Sequence, residues 1–262
     1  MPQPLDYSPL DRAGAASIFF PRSDTRPAPA GATDLLIDVE PGVAVAARFY
    51  VHDPAAPTIL YFHGNGEVAA DHDDIAPLYH EIGLNLFVAE FRGYGQSGGQ
   101  PSYASLIADA HPVVERFHSL LDADGFAPQR LVMGRSLGSG PALEVAANAS
   151  DRFLGCIIES GAANIRRMLT RLGIAETLES VQLADQHEAK IRSIRLPTLI
   201  LHGEHDELVP PAYAAELYDL LSDVDRDLII IPGAGHNDIL WRGMRQYFDA
   251  INAFTTNLVP DP

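Results

Sequence analysis

The 262-residue chain predicts an α/β fold: an open, mostly parallel sheet with helices on both faces and a small helical cap. Three observations carry this. Short apolar runs at 58–62, 85–90, 130–133, 156–158, 198–201 and 228–231 alternate with helical periodicity, and buried strands joined through helices pair in parallel. Runs 35–39 and 43–51 flank Pro41-Gly42, a hairpin signal that places an antiparallel strand at one edge. Between residues 158 and 198 the rhythm breaks. The stretch 161–195 reads as helical and is longer than one crossover needs, so it is expected to be a cap over one edge of the sheet.

The remaining elements follow in order. Residues 1–33 hold Pro2, Pro4, Pro9, Pro21, Pro27 and Pro29 and read as an irregular arm packed over the rest, which is a single domain from 34 to 262. Helical patterns cover 71–82, closed by Gly83, then 103–121, 137–148, 212–221 and 238–254.

Composition narrows the function classes. Apolar residues make up 47%, enough for a large core, and the formal charge is −17. A surface of that sign repels phosphate backbones and anionic lipid, which argues against nucleic acid or a membrane surface as partner. The single cysteine, Cys156, sits in an apolar run and forms no intrachain disulfide. With no basic n-region before the short apolar stretch 13–20 and no run of 18 apolar residues, the expectation is a cytoplasmic protein without a membrane anchor. Oligomeric state is left open.

The central motif is Gly134-Arg135-Ser136-Leu137-Gly138, between the strand ending at 133 and the helix beginning at 137. A strand-to-helix turn forces such a serine into a strained backbone, and the flanking glycines make room for it. Its hydroxyl then stands at the sheet edge where N–H groups of the first helical turn converge. Serine alone is a weak nucleophile and needs a base. Ten histidines compete. His236, in Gly235-His236-Asn237 between the last strand and the last helix, leaves the same edge as Ser136; His80, His111, His118 and His187 lie inside helical patterns, and His72 opens one. The base needs an acid to hold its tautomer. Asp206, just past the strand 198–201, is the first candidate; Glu204 and Glu207 flank it and Glu159 ends another strand. An oxyanion hole would use the N–H groups of Leu137 and of Asn65, the latter in His63-Gly64-Asn65-Gly66, where His63 buttresses the turn. His202 and His205 show no convincing metal spacing, so no metal and no organic cofactor is expected.

These signatures, with Phe91-Arg92-Gly93-Tyr94-Gly95-Gln96-Ser97, resemble the α/β-hydrolase superfamily over residues 35–255, and most of all its Bem46-like group, near the ABHD13 and ABHD17 types. The chain order Ser136, Asp206, His236 is the order of that superfamily. Gly66-Glu67 stands where many relatives have Ala-Gly, so the contacts of this turn are expected to differ. The resemblance implies a serine hydrolase acting on a small-molecule ester or thioester through an acyl-enzyme. Acyl transfer or a lyase reaction on the same site, peptide or amide cleavage, and a binding protein on the same fold are the alternatives.

The stretch 161–195 carries six basic residues, Arg166, Arg167, Arg171, Lys190, Arg192 and Arg195, against four acids. Two readings follow: a positive cap that draws anionic substrates to the cleft, or basic groups that pair with carboxylates of the body outside the stretch.

Overall fold

A computed structural model describes residues 5–259, so Pro2 and Pro4 of the arm lie outside the described residues. The elements are α1 Ser8–Arg12, β1 Ala32–Glu40, β2 Val43–Tyr50, β3 Thr58–Phe62, α2 Ala76–Glu81, β4 Asn85–Ala89, α3 Tyr103–Ala108, α4 Ala110–Ala123, β5 Arg130–Arg135, α5 Ser139–Asn148, β6 Gly155–Glu159, α6 Ile165–Arg171, α7 Leu178–Arg192, β7 Thr198–Gly203, α8 Pro211–Leu220, β8 Arg226–Ile231 and α9 Ile239–Leu258. The strands form one sheet in the order β1-β2-β4-β3-β5-β6-β7-β8. β2 runs antiparallel to both neighbours, and every other pairing is parallel. The reversed strand is therefore one place in from the edge, because β1 folds back outside it.

Period-2 alternation builds two cores. Leu60, Phe62, Phe87, Val132, Ile158 and Ile200 face a layer that includes Phe117 of α4, Leu143 of α5 and Leu217 of α8. Ile59, Tyr61, Leu86, Met133, Ile157 and Leu199 face Tyr79 of α2 and Tyr247 and Ile251 of α9. Each fully buried side chain of this size stabilises by roughly 1.5–3 kcal/mol, so the two layers hold the C-terminal ends of the parallel strands in fixed register. The loops at those ends carry the site.

Three expectations are corrected. The helix expected over 71–82 is a 3-10 turn, Ala69–His72, followed by the shorter α2. The helix expected over 103–121 breaks between α3 and α4, where Pro112 has no N–H to donate to the Ala108 carbonyl. The arm is not wholly irregular. Besides α1 it holds a 3-10 turn, Ala15–Ile18, and its Tyr7, Leu10 and Ala15 form a third core with Tyr103 and with Ile165, Leu169 and Leu183 of α6 and α7. Asp11 reaches across to the start of α3, accepting from the Tyr103 N–H at 2.6 Å and the Ala104 N–H at 3.0 Å. That supplies from another segment the acidic acceptor that an exposed helix start favours.

Candidate active site

Ser136 follows β5 directly and has φ +50°, the left-handed region that a serine occupies only under constraint. The constraint is close packing. A Cβ on Gly134 would collide with the Gly138 backbone, and one on Gly138 with the backbone of Phe62 and His63. The elbow is thereby pressed against the turn that follows β3. The chain leaves Ser136 through a 3-10 turn, Ser136–Gly138, into α5.

His236 lies in the loop between β8 and α9, and Asp206 in the loop after β7. Ser136 Oγ stands 2.9 Å from His236 Nε2, and His236 Nδ1 stands 2.7 Å from Asp206 Oδ2. The other Asp206 oxygen accepts from the Leu208 N–H at 2.9 Å and the Val209 N–H at 2.7 Å. Burial pushes the Asp206 carboxyl up, but the His236 and Val209 hydrogen bonds outweigh it and hold the pKa below the usual carboxylate range. The acid loop and the histidine loop are joined by the backbone bond from His205 N–H to the Ala234 carbonyl, 2.7 Å. Glu204 accepts instead from the Gly233 N–H at 2.8 Å, and Glu159 from Tyr247 Oη at 2.8 Å. Of the candidate acids, the structure brings only Asp206 to His236.

The turn after β3 is held from several sides. His63 Nδ1 lies 2.7 Å from the Gly64 carbonyl, with the ring packed against Phe91 at 4.4 Å between centroids. The Asn65 side chain turns away from the elbow to the arm, taking the Phe20 N–H at 3.0 Å and Tyr94 Oη at 2.6 Å while donating to the Ile18 carbonyl at 2.6 Å. Among the described residues the Asn65 N–H makes no backbone hydrogen bond outside regular structure. Its neighbour Gly64 presents its carbonyl to His63, and carbonyl and N–H of one trans peptide point in opposite directions.

The family model of Hydrolase_4, described as serine aminopeptidase, S33, matches residues 53–178 and 170–240. The chain belongs to this family of α/β-hydrolases. It is 30% identical to the protein bem46 of Schizosaccharomyces pombe over 190 residues, 70% of this chain and 62% of that protein. It is 27% identical to an uncharacterized protein of Mycobacterium tuberculosis over 253 residues, 91% of this chain and 86% of the other. The solved structure of Est1E from Butyrivibrio proteoclasticus shares the fold, with a TM-score of 0.69, 21% identity and coverage of 86% of this chain and 98% of that one. The hydrolase thus has the fold its alternating strands and helices predict.

Among the described residues of the hydrolase, no group of three or more His, Cys, Asp or Glu side chains is arranged to hold a metal ion. No described helix is long and apolar enough to cross a membrane. The basic groups of the stretch 161–195 are mostly engaged with carboxylates. Arg166 meets Asp185 at 2.7 Å, Arg192 meets Glu188 at 2.9 Å, Lys190 meets Glu144 at 2.5 Å, Arg195 meets Asp223 at 3.9 Å, and Arg167 bonds Glu216. The first two pairs lie within the stretch and leave its net charge unchanged; Lys190, Arg195 and Arg167 reach carboxylates outside it, which offsets the excess positive charge expected there. Arg171 is the exception among the described residues, donating to the Glu207 carbonyl at 2.9 Å beside the acid loop.

Sequence reasoning missed two contributors. Arg135, the first variable residue of the serine motif, and Glu67, the departure in the turn after β3, are bonded to each other within the site. Glu67 was marked by its unusual position; nothing local marked Arg135.

Three other buried histidines of the hydrolase are expected to make it sensitive to acid. Burial pushes His63 down to about 4 and His118 down to about 4, the latter helped by Arg152 and Arg130; burial with Lys190 nearby takes His187 to about 3. All lie below the ordinary value near 6.5. The unfolded chain therefore binds more protons between about pH 6.5 and 4, and stability falls as pH is lowered through that window. Glu159 and Glu90, raised by burial, oppose this in part. With roughly 3 kcal/mol per ring at the acid end, the urea-unfolding free energy should drop by several kcal/mol between about pH 7 and 4. A flat profile would show that these rings titrate alike in the folded and unfolded chain.

Proposed function

We propose that the hydrolase cleaves carboxylic esters or thioesters of small molecules through an acyl-enzyme on Ser136, with no metal or organic cofactor. The observation that carries this reading is the hydrogen-bonded series from Ser136 Oγ through His236 to Asp206, at 2.9 and 2.7 Å, on a serine with φ +50°. His236 Nε2 takes the Ser136 proton as Oγ attacks the carbonyl carbon. Asp206 holds Nδ1–H and stabilises the imidazolium that forms. The N–H groups of Leu137 and Asn65 receive the oxyanion. His236 then returns its proton to the leaving alkoxide or thiolate, and a water activated by the same nitrogen releases the acid. Esters and thioesters are favoured over amides because an amine leaves less readily. The lone cysteine, pushed up to about 12 by burial, takes no part and suits a cytoplasmic setting.

The test is a panel of p-nitrophenyl esters, acyl thioesters and aminoacyl p-nitroanilides of matched acyl groups, run beside labelling with a fluorophosphonate probe. Ester and thioester turnover above that of the anilides, with the label on the Ser136 peptide, is the expected result. Anilide turnover equal to or above that of the esters would make the protein an aminopeptidase instead, in line with its family's description. Absence of label would remove the nucleophile assignment.

A further inference from the structure

The side chain of Arg135 joins the histidine loop, the turn after β3 and the end of β6 beside the elbow. Its Nη2 donates to the His236 carbonyl at 2.8 Å and to Asn237 Oδ1 at 3.1 Å, its Nε to Glu159 Oε1 at 3.0 Å, and its Nη1 to Glu67. Glu67 uses its second oxygen to accept the Gly64 N–H at 2.9 Å, and the Glu67 N–H donates to the Gly64 carbonyl at 3.2 Å. One guanidinium thus grips the backbone of the histidine loop directly and the turn after β3 through Glu67, while sharing its own backbone with Ser136.

We infer that Arg135 is a positioning residue, which with Glu67 aims the Asn65 N–H and sets the His236 backbone relative to Ser136. The inference rests on the catalytic reading above. The peptide joining Gly64 to Asn65 is planar, so fixing the Gly64 carbonyl also fixes the direction of the Asn65 N–H. The planar fork of Arg135 makes four hydrogen bonds here in fixed directions, one more than the three N–H groups of an ammonium can supply. Stability is a weak reason for the cluster: Arg135 is 12% exposed and Glu159 1%, and buried ion clusters replaced by apolar groups are often no less stable. An apolar replacement could not hold both a carbonyl and a carboxylate. Behind the network lies a cavity of about 170 Å³, lined by Arg135, Tyr61, His72, Asn237 and Trp241 among others, which leaves room for a small cation beside a truncated side chain.

The experiment measures kcat and KM on a p-nitrophenyl ester for the intact chain and for Arg135→Ala, Arg135→Lys, Glu67→Gln and the Arg135→Ala/Glu67→Gln pair, with melting curves for each. The expected result for Arg135→Ala is a kcat lower by about 100-fold with KM within about threefold, the size of losing an oxyanion donor's alignment. Ethylguanidinium should restore kcat in a saturable way, Arg135→Lys should recover only a small part, and Glu67→Gln should cost about tenfold. The pair should lose no more than Arg135→Ala alone, as coupled groups do. A folded Arg135→Ala enzyme with unchanged kcat, or losses that multiply in the pair, would overturn the inference. Should Arg135→Ala fail to fold, Glu67→Gln decides: an unchanged kcat overturns it. Fluorophosphonate labelling of the unmutated chain separates the two levels. Label on Ser136 with insensitive variants refutes positioning alone, whereas no label refutes the catalytic reading and this inference with it.

Discussion

Replacing Ser136 with alanine is expected to lower kcat/KM for ester hydrolysis by a factor on the order of 10³ to 10⁶ while the protein stays folded. The upper end reflects groups that act as a unit, and the floor is whatever the oxyanion donors and substrate binding supply without a nucleophile. Folding should survive because Oγ makes one contact of consequence, the 2.9 Å bond to His236 Nε2. The backbone strain at φ +50° is the same for alanine as for serine. The measurement is steady-state turnover of a p-nitrophenyl ester beside a thermal melt. A folded variant that keeps most of its activity would assign the nucleophile elsewhere.

Asp206→Asn should cost on the order of 10³- to 10⁴-fold in kcat, more than alanine at Glu204 or Glu207. Asp206 Oδ1 accepts two backbone N–H groups, from Leu208 and Val209. In an asparagine the carbonyl oxygen must take that place, which turns the amide NH2 toward His236. An NH2 at 2.7 Å from Nδ1 donates to it and forces the ring proton onto Nε2. The nitrogen facing Ser136 is then already protonated and cannot accept from the hydroxyl. His202 Nε2, 3.4 Å from Asp206 Oδ2 and 2.7 Å from the Val209 carbonyl, limits any rearrangement. The check compares Asp206→Asn with Glu204→Ala and Glu207→Ala under one assay. Equal losses at Glu204 or Glu207 would transfer the acid's role to them.

Much of this site was legible in local patterns. Continuous apolar runs place β3 to β7 in one sheet, because a strand buried on both faces has no polar position to spare. The glycines of Gly134-Arg135-Ser136-Leu137-Gly138 mark a turn too tight for side chains, and the collisions a Cβ would meet at Gly134 and Gly138 are the physical content of that pattern. Where periodicity misled, a single residue had more weight than the pattern: Pro112 breaks the helix expected over 103–121.

The sequence by itself therefore determined the sheet, the turn that carries Ser136 and the loops that carry Asp206 and His236. Only the tertiary structure decided which of several neighbouring acids meets His236, that Tyr7 of the arm lies 2.8 Å from His187 on α7, that most arginines of the stretch 161–195 meet carboxylates, and that Arg135 reaches Glu67 and the His236 carbonyl. The division follows from range. Backbone conformation and burial periodicity are written within a few residues and can be read there. Long side chains meet partners up to 183 positions away, and those meetings exist only after the sheet has set the distances between its loops.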